Sequence, residues 1–352
     1  IGALNGFRSF PYSDFTAYQQ HDFSFFVKTI STRTLATESI NSENLKGRLL
    51  NSGDAYFIHD GEEYFNLMPA WNWNLLPGIT SFKGADHMER KPFSGSVGDG
   101  KQGLTSMDYV LANKRGTAFI TAKKTWFCQG NTVVCLIGDL KGKGVDTAYT
   151  AMDQSRWRGP VTANKKNNHL EEGNHVFDRL KWVHHSNFVY VPPGNASSEV
   201  RLQTVTAKWT SINLSEPDEP LIEKTFLPLI VHTNLSQVQS FGYVTAFAKT
   251  PARAKHFVKK SKYKIIRNDS TCQAVSFPDG TAMFAFFQPS SVDFKKGRLS
   301  VDKPCLVLLK GDQLYASDPL QANASVTIQL NNKTLQVQLP EHGFTTEGLL
   351  VK

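Results

Sequence analysis

Apolar and polar residues change places every one or two positions along much of this chain, in runs too short for helices. His21-Asp-Phe-Ser-Phe-Phe-Val-Lys-Thr-Ile-Ser partly alternates and is rich in aromatic and β-branched residues. So are residues 116–122 and Ser186-Asn-Phe-Val-Tyr-Val, the latter closed by Pro192-Pro193-Gly194. Thr125-Trp-Phe-Cys, then Gln-Gly-Asn, then Thr132-Val-Val-Cys-Leu-Ile-Gly reads as a hairpin. The same pattern predicts strands over 200–208, 226–232, 242–248, 264–267, 273–277, 282–287, 305–310, 326–330 and 334–339. Many short strands with turns between them, and no strand–helix alternation, predict an all-β fold of antiparallel sandwiches.

One helix interrupts the series. Thr250 is a good N-cap and Pro251 suits the first helical position, followed by Ala-Arg-Ala-Lys-His-Phe-Val-Lys-Lys. A fresh series of strands begins after it. The boundary is therefore expected there, with a large sandwich over residues 1–260 and a small one over 261–352.

At 352 residues the chain is long enough for two domains with real cores. With 40% hydrophobic residues, 24 Phe and only 20% charged residues, wholesale disorder is excluded. No run of about 18 apolar residues occurs, so no membrane span is expected. The start, Ile1-Gly-Ala-Leu-Asn-Gly, lacks Met and a signal peptide's apolar core, and reads as processed or excised. Net charge is +8, which favours a polyanionic partner. The densest basic clusters are Lys123-Lys124, Lys165-Lys166 and the stretch from Arg253 to Lys264, read as solvated surface. No nucleic-acid module accompanies them, so nucleic acid is not the expected partner.

Most common catalytic signatures are missing: no hydrolase elbow, P-loop, H-E-x-x-H or dinucleotide fingerprint. Gly98-Asp-Gly-Lys and Gly138-Asp-Leu-Lys-Gly-Lys-Gly lack phosphate-loop spacing and are expected to be turns. His184 and His185 precede a strand and should point to opposite faces, which argues against a shared metal. Cys128 and Cys135 flank the hairpin turn and could face each other, while Cys272 and Cys305 lie apart. Two disulfides or buried free thiols both fit.

Two polar segments carry more. One runs from Ser31 to Gly47 and holds Glu38 and Asn41. The other, from Tyr64 to Ser81, holds Trp71, Trp73 and several asparagines. Aromatic faces and amides are what a sugar ring calls for, although a tryptophan cluster also suits a core.

Met68-Pro-Ala-Trp-Asn-Trp-Asn-Leu-Leu-Pro-Gly-Ile-Thr-Ser81, preceded by Thr37-Glu-Ser-Ile-Asn-Ser-Glu-Asn44, resembles polysaccharide lyase family 8. That is the family of chondroitin AC, chondroitin ABC, hyaluronate and xanthan lyases. The resemblance continues through Phe93-Ser-Gly-Ser-Val-Gly-Asp-Gly-Lys, Lys123-Lys-Thr-Trp-Phe-Cys, the stretch from Trp182 to Gly194, Asn268-Asp-Ser-Thr-Cys-Gln-Ala-Val and Ser317-Asp-Pro. It implies a helical toroid, a β-sandwich superdomain and a small β-domain, of which this chain resembles the last two. It also implies β-elimination on an acidic polysaccharide of the chondroitin or hyaluronan type, in a periplasmic or extracellular setting. The family's catalytic Tyr, His, Asn and Arg sit on the helical domain, so the chain is expected to need that domain as a partner.

Residue by residue, Glu38 stands where the family's superdomain places a glutamate against the catalytic His. Asn41 stands where it places an asparagine near the sugar. Trp71, Trp73 and Phe93 are the expected aromatic contacts, with Lys91 and Pro92 beside Phe93 where the family tends to carry a stacking Trp. Some members bind calcium around the W-x-W segment. Here those positions hold Asn72, Asn74 and Lys83, which lack the carboxylates a hard cation requires, so no metal or other cofactor is expected. The rival reading is a carbohydrate-binding or structural β-protein without catalysis.

Overall fold

A computed structural model describes residues 4–165, 167–261 and 263–351; Lys166 and Lys262 of the basic clusters lie outside them. Strand pairing is antiparallel throughout the described ladders, in five sheets. Strands Gly6–Phe10, Phe15–Gln19, Ser24–Lys28 and Asp54–Ile58 form a four-stranded meander. A six-stranded sheet is built around the long hairpin Ser198–Lys208/Pro220–Thr233. Both lie on one face of a ten-stranded sheet whose centre is Gly103–Asn113, Phe119–Gln129, Thr132–Lys143 and Gln239–Phe247. The C-terminal part stacks another six-stranded sheet against a four-stranded one.

The cores explain the order of these layers. Val133, Cys135 and Ile137 face the large sandwich, whereas Val134 and Leu136 face the C-terminal domain. The ten-stranded sheet is thus covered on both sides, and its central strands read as continuous apolar runs instead of alternating ones. The partner sheet answers with Met283, Ala285, Leu306 and Leu308 turned to the shared layer and Phe284, Phe286 and Val307 turned inward. Close approach is needed at this seam. A Cβ on Gly138 would lie 2.6 Å from Asn268 Oδ1, and the Asn268 amide reaches across to the Phe241 carbonyl at 2.9 Å.

The helix Pro251–Lys260 forms where the caps predict, with the Thr250 hydroxyl accepting the Arg253 amide at 3.2 Å. Gly98 to Lys101 is a hairpin turn as expected, braced by Asp99 Oδ1 accepting the Lys101 and Gln102 amides. Gly138 to Gly144 is not a turn: the strand Thr132–Lys143 runs through most of it, with a bulge that puts Asp139 at φ 54°. The four cysteines are free and buried, and the register sets Cys128 opposite Val133 and Cys135 opposite Trp126. Lys124 corrects the reading of a solvated basic pair: it is fully buried, and its ammonium donates to the Gly78 carbonyl between Tyr109 and Trp126. Burial pushes its pKa down to about 8.

Candidate functional site

Two long connections carry the candidate residues, and both rest on the Ser198–Lys208/Pro220–Thr233 hairpin. The first, residues 29–53, leaves the end of Ser24–Lys28. Its root is fastened by the buried Asp14, whose carboxylate accepts the hydroxyls of Ser31 and Thr34 at 2.6 Å each. Arg33 lies 3.5 Å from the same carboxylate and donates to the Pro92, Ser94 and Pro319 carbonyls, tying the loop to both domains. Farther along, the Leu45 amide donates to the Ile212 carbonyl and the Leu214 amide to the Ser42 carbonyl, each at 3.0 Å. These bonds seat the loop on the turn of the hairpin.

Glu38 and Asn41 sit at the exposed crest of this loop. What is pinned there is the backbone. The Asn44 side-chain amide donates to the Glu38 carbonyl at 2.6 Å, and the Thr37 hydroxyl to the Gly47 carbonyl at 2.6 Å. Asn41, Ser42 and Asn44 all adopt positive φ, a conformation asparagine tolerates better than most residues. The crest is therefore a shaped platform that presents a carboxylate and a carboxamide outward.

The second connection, residues 59–79, holds the tryptophans. Its short helical turn Met68–Ala70 packs on Ser198–Lys208. Trp71 is only 8% exposed; it stacks on Tyr56 with centroids 6.3 Å apart and meets Tyr64 and Trp73 edge-on. Trp73 is half-buried at the rim. Phe93 is 3% exposed and packs 4.7 Å from Phe287 in the layer between the two domains. The expected stacking role of Phe93 does not fit this placement, because its faces are already covered by the C-terminal domain. Trp71 likewise buttresses the rim from within.

Asn72 and Asn74 are exposed, and the Asn72 Oδ1 accepts the Asn74 amide at 3.1 Å. Lys83 is exposed as well, so none of these three positions presents a carboxylate. Among the described residues no group of three or more His, Cys, Asp or Glu is arranged to hold a metal. His184 and His185 diverge as expected: His184 Nε2 donates to the Ala248 carbonyl at 2.7 Å, while His185 Nε2 accepts the Arg158 amide at 3.0 Å.

The residues that hold the tryptophan segment gave no local signal. Asp153 is fully buried and accepts hydroxyls from Tyr64 (2.8 Å) and Tyr190, and burial raises its pKa to about 6. Next to it, the Gln154 side chain bonds the backbone of Asn72 and Leu75. Both lie in an ordinary-looking Ala-Met-Asp-Gln-Ser stretch, more than 75 residues from the segment they brace.

Residues 5–257 match the super-sandwich domain of polysaccharide lyase family 8, and residues 264–327 match that family's C-terminal beta-sandwich domain. The chain is 28% identical to the chondroitinase-AC of Pedobacter heparinus, over 96% of this chain and 51% of that protein. It is 26% identical to the hyaluronate lyase of Thermasporomyces composti, over 94% of this chain and 44% of that protein. A solved chondroitinase AC lyase superimposes with a TM-score of 0.85 at 26% identity, covering 99% of this chain and 55% of that one. The chain thus spans about half the length of the curated relatives it matches.

Proposed function

The chain belongs to polysaccharide lyase family 8, and from that premise we propose that it is the β-sandwich portion of a lyase cleaving a chondroitin- or hyaluronan-type glycosaminoglycan. The bond broken is the one from the uronate C4 to the glycosidic oxygen. A base removes the C5 proton, the C4–C5 double bond forms, and the departing oxygen is protonated. In this reading the Tyr, His, Asn and Arg that carry these steps come from a helical domain outside these 352 residues. Such an enzyme works where the polymer is, in a periplasmic or extracellular compartment.

The role assigned to this chain's own residues is to complete the site. Glu38 accepts a hydrogen bond from the imidazole, holding its tautomer and orientation and favouring its charged form. Asn41 contacts a sugar hydroxyl or carboxylate, and Trp73 supplies an aromatic edge backed by Trp71. The observation that carries the reading is the Glu38–Asn41 crest, pinned by Asn44 and Thr37 and exposed toward any domain that closes over it.

The test is turnover of chondroitin or hyaluronan in the enzyme bearing its helical domain, followed by ultraviolet absorbance of the unsaturated uronate product. Glu38→Gln should lower kcat by on the order of a hundredfold, as removal of a group that supports a proton-transfer residue does. Unchanged kcat would remove Glu38 from the mechanism. Full turnover by residues 1–352 alone would overturn the division of the site between two domains.

A further inference from the structure

The +8 charge is not spread evenly, and its densest part lies away from the Glu38 crest. The helix Pro251–Lys260 carries Arg253, Lys255, Lys259 and Lys260 and no acidic residue. Its inner face is fixed, with Ala254 buried against Trp182, Val189 and Ala248. The cations are left outside. Arg253 stands in the first turn, where the helix dipole favours anions, and Lys255 and Lys259 repel each other across one turn. These are small costs that the fold does not need.

Three neighbouring clefts, each sharing lining residues with the next, lie along this helix and past it. The first is lined by Lys249, Arg253, Phe257 and Lys260. The second shares Phe257 with it and continues to Lys264. The third, of about 970 Å³, shares Lys264 and ends at Phe294, Lys295 and Lys296 on the C-terminal domain. The row they form takes its cations from both domains. Of the cations along it, among the described residues, only Lys249 has a carboxylate at ion-pair distance, Asp22 at 3.4 Å. Asp293 is the other acidic side chain in the lining. Half-buried Phe257 and Phe294 add apolar faces between the charges.

We propose that this row of clefts is a second binding track for an extended acidic glycan, separate from the Glu38 crest. Its separation follows from topology. Asp22 and the helix lie beyond the start of strand Ser24–Lys28, whereas the Glu38 loop leaves its end, about 17 Å away at about 3.3 Å per residue. A single anion would need one cluster, but cations spaced along successive clefts match a polymer with a charge on every repeat. Apolar strips between them suit the faces of sugar rings. The choice of glycan over other polyanions rests on the lyase reading above. The track would hold the chain while the crest engages one bond of it.

The experiment is fluorescence anisotropy of a labelled chondroitin sulfate chain with the protein, at low and high salt. Arg253→Ser/Lys260→Ser/Lys264→Ser should weaken binding by on the order of tenfold, the sum of three solvent-screened charge contacts. Lys295→Ser/Lys296→Ser, on the other domain, should weaken it in the same direction, and serves if the triple variant does not fold. Glu38→Gln should retain most of the affinity. Unchanged affinity in the track variants, salt-insensitive binding, or tighter binding of a single-stranded oligonucleotide of equal charge would each overturn the proposal. Loss of binding in the track variants beside unchanged kcat in Glu38→Gln would leave the track standing and remove the crest.

Discussion

Gln154 grips Asn72 from both sides of one peptide chain: its Oε1 accepts the Asn72 amide at 2.7 Å, and its Nε2 donates to the Asn72 carbonyl at 3.2 Å. The same Nε2 reaches the Leu75 carbonyl at 3.0 Å. One buried carboxamide thereby sets the turn that carries Trp71 and Trp73, and no apolar side chain of its size can replace it. Gln154→Leu should cost about 2–3 kcal/mol, three bonds at about 1 kcal/mol each. Urea unfolding with tryptophan fluorescence measures it; a loss below about 0.5 kcal/mol, typical of a surface position, would contradict the clamp.

Lys124 predicts an alkaline signature. Its folded pKa is depressed to about 8 from 10.5, so the folded state prefers the neutral amine. The stabilisation is fully present above 10.5 and is lost as pH falls toward 8. Burial also holds the thiols of Cys128, Cys135, Cys272 and Cys305 above their ordinary range, which lowers stability as pH rises over the same span, so the lysine shows as a difference. Between pH 8 and 9.5 the stability of the native chain minus that of Lys124→Met should rise in a series of urea midpoints. A difference that stays constant over that range would remove Lys124 from the pH dependence.

Arg33 predicts a coupling between the crest and the C-terminal domain. Its guanidinium donates to the Ser94 carbonyl at 2.8 Å and the Pro319 carbonyl at 3.3 Å while facing Asp14. Arg33→Ala should destabilise by about 1–2 kcal/mol, a figure reduced for its partial exposure. Arg33→Lys should recover little of this, because an ammonium keeps the charge but not the planar fork. Full recovery by lysine would show that charge alone matters.

Calcium makes a negative prediction. We propose that Asn72, Asn74 and Lys83 leave no carboxylate for it, so chelation should leave the melting temperature unchanged within error. A calcium-dependent rise in melting temperature that Asn72→Ala abolished would reverse this reading.

The amino-acid sequence by itself determined the all-β class, the helix at Thr250 and the family. Each rests on information that is local or ordered along the chain: turn residues, a cap three positions from its amide, motifs in the family's order. Tertiary structure decided what those local signals leave open. All eleven positions of the strand Gly103–Asn113 end up buried or half-buried on two faces, so it shows little of the alternation by which a one-sided strand is read. Lys124 looks like half of a surface pair and is buried, because the sheet it belongs to is covered on that side as well. Phe93 belongs to a family-like motif, yet its ring is claimed by Phe287, far along the chain. Gln154 is invisible for the same reason: its partner stands 82 residues away, and only folding brings the carboxamide to the backbone it holds.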